Sequence, residues 1–317
     1  MKIFLTILAI MLPIFFGYFF KIINIFSDSE IDTLRKFVVR VTVPFIIIRN
    51  LYTANMETLN QIFPSVTSFI TVTIFASITG LFLSKLFTNT DRERNSYIFS
   101  VFVGNYGFLG WGVMSYFYGD AGFTRAVFFS LLFWPVFLSF GFLLAYLRKS
   151  GEMKDNKSTN FKKLLLKNAS VPISAAAVAI SLNLGGVEIP ELLWNFIDKF
   201  ASITIPMILF TIGLNFKFRM KLNKLKIILA GSFHRLIFGF VIGVVTLFLV
   251  NSIFSIDMIN QKVILIEAAM PTAAMTPFFS EYVKMDKKLQ SGIITFSTIF
   301  SLITIPLWYY LVENVIF

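Results

Sequence analysis

Val41-Thr42-Val43-Pro44-Phe45-Ile46-Ile47-Ile48 returns 162 positions later as Ile203-Thr204-Ile205-Pro206-Met207-Ile208-Leu209-Phe210. Leu12-Pro13-Ile14 reappears as Val171-Pro172-Ile173, 159 positions on, and Gly104-Asn105-Tyr106-Gly107 is matched by Met270-Pro271-Thr272-Ala273, 166 positions on. Proline is common in apolar helices, so one such match means little. Several matches in the same order, with an offset that drifts steadily upward, point to two related halves separated by small insertions. Because proline removes a backbone donor and crowds the preceding turn, the halves are expected to carry helix interruptions at corresponding places.

The rest of the composition says where those helices live. Of 317 residues, 56% are hydrophobic, forty are Phe, and only 14% are charged, against about 25% charged in soluble domains. A soluble protein could not hide that much apolar surface, so the chain reads as an all-α polytopic membrane protein. Cysteine is absent and histidine occurs once, which argues against a zinc or iron site, and no metal or cofactor is expected. Only His234 could serve a Ser–His pair, and the carboxylates are scattered, which argues against an enzyme. The net charge of +11 does not mark a nucleic-acid partner, because the Lys and Arg sit in short segments between apolar runs.

A hydrocarbon core of about 30 Å needs roughly 20 apolar residues per helix. Ten spans fit: 3–20, 32–51, 62–87, 95–118, 122–147, 164–183, 189–216, 224–250, 258–281 and 289–312. Alternate connections, starting after the first span, hold 21 of the 28 basic residues. The positive-inside rule therefore places them in the cytoplasm and both termini outside a cytoplasmic membrane. Five spans per half is odd, so the halves, residues 1–147 and 164–317, insert with opposite topology. The polar stretch 148–163 is expected to link them on the cytoplasmic side.

Two segments stand out as poor helix material. Gly104-Asn105-Tyr106-Gly107-Phe108-Leu109-Gly110-Trp111-Gly112 carries four glycines in nine residues, each costing about 1 kcal/mol against Ala in a helix. Glu267-Ala268-Ala269-Met270-Pro271-Thr272-Ala273-Ala274-Met275-Thr276-Pro277 carries two prolines. Backbone interruptions at membrane depth survive only where protein or a water-filled cavity covers them. Two broken helices crossing in mid-membrane would aim half-helix N-termini, with partial positive charge, at a common point suited to an anion. The alternative is that small residues there merely permit close helix packing.

At this point a resemblance becomes specific. Asn105-Tyr106-Gly107-Phe108-Leu109-Gly110, followed by Tyr118-Gly119-Asp120, resembles the fourth helix of the auxin efflux carrier family. Met270-Pro271-Thr272-Ala273-Ala274 and Ser297-Thr298-Ile299-Phe300-Ser301-Leu302-Ile303-Thr304-Ile305-Pro306-Leu307-Trp308 resemble its ninth and tenth, and Pro206 with Gly213-Leu214 its seventh. The resemblance spans essentially the whole chain. It implies a ten-helix 5+5 inverted repeat with crossed, broken helices 4 and 9, similar to the fold of bile-acid symporters, in which one unit moves past another. It also implies carboxylate substrates, such as malonate or malate in bacterial relatives and auxin in plants. Plant carriers have proline beside the helix-4 asparagine, whereas here Gly104 precedes Asn105, and the short linker lacks their long hydrophilic loop.

The expected function is thus a secondary transporter, efflux carrier or permease, for small organic anions, working by alternating access. Asn105, Tyr106, Gly107, Pro271 and Thr272 would line the crossover, with Asn105 and Thr272 offering polar groups to a carboxylate. Arg40 and Arg235 would either grip a substrate carboxylate through a guanidinium fork or snorkel to the cytoplasmic surface. Intramembrane acids are functional candidates. Glu267 would couple transport to H+ or Na+ or pair with a basic side chain, and Asp198 is a second coupling candidate. His234 is expected to be a packed histidine, and Trp134, Trp194 and Trp308 interfacial. The competing classes are a passive ion channel or facilitator and a cation-coupled symporter of another substrate. The lipid bilayer is the expected partner, and a homodimer is compatible with the sequence.

Overall fold

In the computed structural model, residues 2–148, 161–214, 224–281 and 283–317 are described; most of the expected linker 148–163 lies outside them. The described residues are helical, with no strand beyond one isolated bridge. Helix α1 spans Lys2–Ile22. Next come α2 (Asp28–Phe37), a π-turn at Val38–Thr42 and α3 (Val43–Tyr52), then the short α4 (Met56–Leu59) and α5 (Ile62–Phe87). α6 (Asp91–Val101) ends in a break, a π-turn follows at Tyr106–Gly110, and α7 (Trp111–Ser130) and α8 (Phe133–Leu147) complete this part. The remainder comprises α9 (Phe161–Leu184), α10 (Glu191–Leu214), α11 (Leu225–Phe233), a π-turn at His234–Phe238, α12 (Gly239–Asn251), α13 (Met258–Ala268) and α14 (Lys287–Leu311).

Local chemistry sets several of these boundaries. Ser27 with Glu30 and Thr90 with Glu93 form reciprocal capping boxes that start α2 and α6, each satisfying two orphan backbone donors. Asp257 and Asp286 cap α13 and α14 more simply, each side chain accepting from backbone N–H groups of the first turn. Pro44 has no N–H to give the carbonyl of Arg40; just before it the ladder slips and Val43 N–H bonds back to Val38, closing the first π-turn. Five stretches are long and apolar enough to cross a membrane: Glu57–Phe87, Tyr106–Leu147, Glu191–Leu214, Leu225–Asn251 and Lys287–Ile316. Met11–Ile22 and Val171–Leu184 are shorter apolar helices. Within the Tyr106–Leu147 run α7 is itself divided at Gly119, where the chain turns at φ +62°, a backbone state that glycine adopts without the Cβ penalty.

The helices pack into two groups. α1, α3, α9 and α10 contact one another most closely, while α5, α6, α7, α11, α12, α13 and α14 make the second group. Phenylalanine fills the second group's core, where Phe102 stacks on Phe137 at 5.6 Å and Phe137 meets Phe279 at 4.9 Å. Each group is stitched internally by polar contacts. Thr204 donates to the carbonyl of Thr42 in the first, and Arg125 grips Asp257 in the second. Between the groups the described residues give a single side-chain hydrogen bond, from Arg49 to Asp120 at 3.0 Å. Arg35 also stands over the Phe108 ring across this interface, 5.7 Å from its centre.

At the end of the second group where α6 begins, Lys224 sits between Glu93 (3.1 Å) and Asp286 (2.6 Å). Burial pushes the Glu93 carboxyl upward, but the Asn89 and Thr90 N–H groups and the Lys224 ammonium outweigh it and hold the group below the usual carboxylate range.

Candidate functional site

The breaks in the two halves meet. After Val101 the chain leaves helical geometry, and Asn105 N–H donates to the carbonyl of Pro271 at 2.7 Å while Ala273 N–H donates to Val103 at 3.3 Å. Gly104 and Thr272 form an antiparallel bridge. Two interrupted helices thus satisfy part of their freed backbone by pairing with each other, as an apolar surrounding demands. Beyond the crossing, Leu109 and Gly110 both donate to the carbonyl of Asn105. Tyr106, Gly107 and Phe108, which open this half-helix, line a cavity.

That cavity has a volume of about 410 Å³ and lies between the two helix groups. Gly104, Asn105, Tyr106, Gly107 and Phe108 form its inner end, Trp111, Ser130, Phe133 and Trp134 one wall, and Val43, Pro172 and Ile208 the other. Arg35, Lys36 and Arg40, with Asp32, bring three bases and one acid to it from the α2–α3 segment. The side-chain amide of Asn105 makes no hydrogen bond among the described residues, and Asn105 retains 9% exposure inside an otherwise closed wall. An amide left open in this way can donate and accept towards a bound molecule.

Of the residues expected at the site, the structure brings Asn105, Tyr106, Gly107 and Arg40 together around the cavity. Pro271 and Thr272 belong to the crossover but not to the cavity wall. Thr272 is fully buried, its N–H bound to Ser297 Oγ and its hydroxyl without a partner. Asp198 lies elsewhere, sharing Arg49 with Asp120 at 3.2 Å. Arg235 neither snorkels nor reaches the cavity. It is 1% exposed, and its guanidinium donates to the carbonyls of Ala268 (2.8 Å) and Met270 (2.9 Å), more weakly to Val101 (3.4 Å), and to the Tyr106 hydroxyl (3.1 Å). These carbonyls end α6 and α13, so one arginine caps both broken helices where their dipoles are negative. Gly104 permits this, because a Cβ there would stand 2.6 Å from Arg235 Nη2.

Glu267 is fully buried, with both carboxyl oxygens unpartnered. Its carboxyl group lies against Gly110 on the other broken helix, where a Cβ would approach it to 2.2 Å. His234 is packed between Thr79 and Tyr97, each 3.0 Å from a ring nitrogen. Two of the tryptophans expected at the interface are half-buried. Trp134 lines the cavity, and Trp308 donates to Leu236 and stacks on Phe240 at 4.2 Å. Nothing in the spacing of Trp134 or of Arg35 and Lys36 distinguished them from interfacial residues; only the fold turns them inward.

The family described as membrane transport protein matches residues 2–309. An uncharacterized transporter of Methanocaldococcus jannaschii is 26% identical over 98% of both chains. Another, from Methanothermobacter thermautotrophicus, is 23% identical over 96% of both. Family and relatives are transporters rather than enzymes. With a match that runs from the first helix into the last, the chain belongs to the membrane transport protein family, the family of the auxin efflux carriers.

Proposed function

We propose that the protein moves small organic carboxylate anions across the cytoplasmic membrane by alternating access, with the anion held at the crossover beside Asn105, Tyr106 and Gly107. One observation carries this reading: the cavity between the helix groups ends on the Asn105 side chain, which makes no hydrogen bond among the described residues, and on the first turn of a half-helix. A half-helix N-terminus favours negative charge. Arg35, Lys36 and Arg40 add an attractive field along the approach. Arg235 acts from behind Tyr106 rather than by touching substrate, and Pro271 and Thr272 shape the crossing. Asp198 belongs to the rim ion pair, while Glu267 is the ion-coupling group.

The same reading takes the helices as ten spans in two inverted halves, residues 1–147 and 164–317, joined by a cytoplasmic linker at 148–163. Contact between repeat-matched residues supports it: Thr42 meets Thr204, and Asn105 meets Pro271. Near-symmetric contacts of this kind arise around a pseudo-twofold axis. The basic end of the cavity lies on the side that the charge count assigns to the cytoplasm, so the conformation is inward-facing, with Arg49 and Asp120 closing the outer rim. The two groups would then move against each other as rigid bodies.

Current from purified protein on a solid-supported membrane tests the assignment. Malate, malonate, succinate and indole-3-acetate are offered with and without pH and sodium gradients. A saturable current that vanishes in Asn105→Ala is the expected result. No current with any anion or gradient, from folded protein, rejects electrogenic carboxylate transport.

A further inference from the structure

Among the described residues, Glu267 is the only acid with no exposure at all. Neither carboxyl oxygen has a hydrogen-bond partner, and no cation stands within ion-pair distance among the described residues. An ionised carboxylate here would have lost water and received no donor in return, a state proteins avoid by neutralising the group. The groups that face it are few. α5, α7, the Tyr106–Gly110 turn, α12 and α14 pack against α13. From these and the adjoining His234–Phe238 turn, Arg235 and Tyr106 are the charged and titratable groups that act on it. Arg125 of α7 is committed to Asp257, and Glu313 beyond α14 to Lys262 and Tyr118. Lys85 lies at the far end of α5, by Phe82, and α12 has no ionisable residue. No group of three His, Asp or Glu gathers there among the described residues, so a metal cation would find one charged ligand where hard cations take several oxygens.

We propose that Glu267 is a proton-binding site of the transport cycle, and that its proton and the substrate anion bind cooperatively through Arg235. With Glu267 neutral, the guanidinium charge behind Tyr106 is unopposed, and the field at the cavity end favours an anion. When Glu267 ionises it cancels that charge, and the anion loses the attraction. Coupling of this kind is reciprocal, so bound anion holds the proton as bound proton holds the anion. Ionisation needs Glu267 and Gly110 to part so that water reaches the carboxyl, which ties proton release to movement of the broken helices. The proton taken up on one side is given to water on the other, and the carboxyl returns to its starting state each cycle.

The inference rests on the transporter reading, so its first test needs no substrate. Infrared difference spectra of reconstituted protein, recorded across a pH titration in sodium-free buffer, report the C=O band of a protonated carboxylic acid. The band is expected at neutral pH, to persist on adding sodium, to be absent in Glu267→Gln and to return shifted in Glu267→Asp. Its absence from wild type at neutral pH, or its loss when sodium is added, overturns the proposal. The second arm is carboxylate binding at mildly acidic and mildly alkaline pH. Affinity is expected to drop several-fold with rising pH in wild type and to stay flat in Glu267→Gln; a flat wild-type profile overturns the cooperativity. An intact band with no carboxylate bound would sink the carboxylate reading and still support the proton site.

Discussion

Adding one methyl group at Gly110 probes the closest approach between the two broken helices. Its Cβ would lie 2.2 and 2.4 Å from the two oxygens of Glu267 and 2.6 Å from the carboxyl carbon, well inside van der Waals contact. The carboxyl group is fully buried, so it must displace its neighbours to move. Overpacking of this kind costs about 1–3 kcal/mol, to which the loss of glycine's backbone freedom contributes little. In a Glu267→Ala background the methyl enters space already vacated, so Gly110→Ala should there cost close to nothing. The double-mutant cycle is then expected to give a coupling of about 1–3 kcal/mol, against the 0.3–0.5 kcal/mol scatter of independent sites. Unfolding by a denaturing detergent in mixed micelles, followed by circular dichroism, supplies the four stabilities. Additivity within that scatter would refute the reasoning, because it would mean that Gly110 and Glu267 are not in contact.

Arg235→Met strands the carbonyls of Ala268 and Met270; at about 1–3 kcal/mol for each buried group left unpaired, the same unfolding assay should show a loss of about 2–6 kcal/mol, partly recovered by Lys. Asp120→Asn weakens the one side-chain hydrogen bond between the helix groups among the described residues; spin labels on single cysteines at the C-terminal end of α3 and beside the Gly119 turn of α7, placed in a chain that has no native cysteine, should show a broader distance distribution. Glu93 is held below the usual carboxylate range by Asn89, Thr90 and Lys224. Its contribution is therefore present above the ordinary carboxylate pKa and lost as pH falls through its lower folded value, so Glu93→Gln should flatten the acid limb of a pH–melting-temperature profile.

Much of the fold was legible because the bilayer imposes few solutions on apolar segments. Pro44, Gly104 to Gly112 and Pro271 announced the interruptions, since each either lacks a donor or weakens a helix. The gap between the expected spans 95–118 and 122–147 falls where Gly119 turns the chain within the 42-residue Tyr106–Leu147 run. Charged residues were harder. The sequence leaves an intramembrane arginine two outlets, ligand or surface, and Arg235 takes neither, because its partners are carbonyls exposed only when two helices break at the same depth. The partner of Asp198 was likewise out of reach of the sequence, because only the fold of α3 brings Arg49 beside it. The π-turn at His234–Phe238 has no proline or glycine run to signal it, and it is what carries Arg235 into the crossover. The cavity wall at Trp134 was hidden for a similar reason: it depends on which face of α8 meets the other helix group.

Counterflow in proteoliposomes addresses the central claim most directly, that one cavity at the crossover is reached from each side in turn. Vesicles loaded with unlabelled carboxylate are diluted into a trace of the labelled anion, with wild type and Asn105→Ala compared. A transient accumulation of label above equilibrium, saturable and lost in Asn105→Ala, is the predicted result, because only a carrier that returns loaded can exchange in this way. Label that simply equilibrates without overshoot, through folded protein, would contradict alternating access and point to a passive pore.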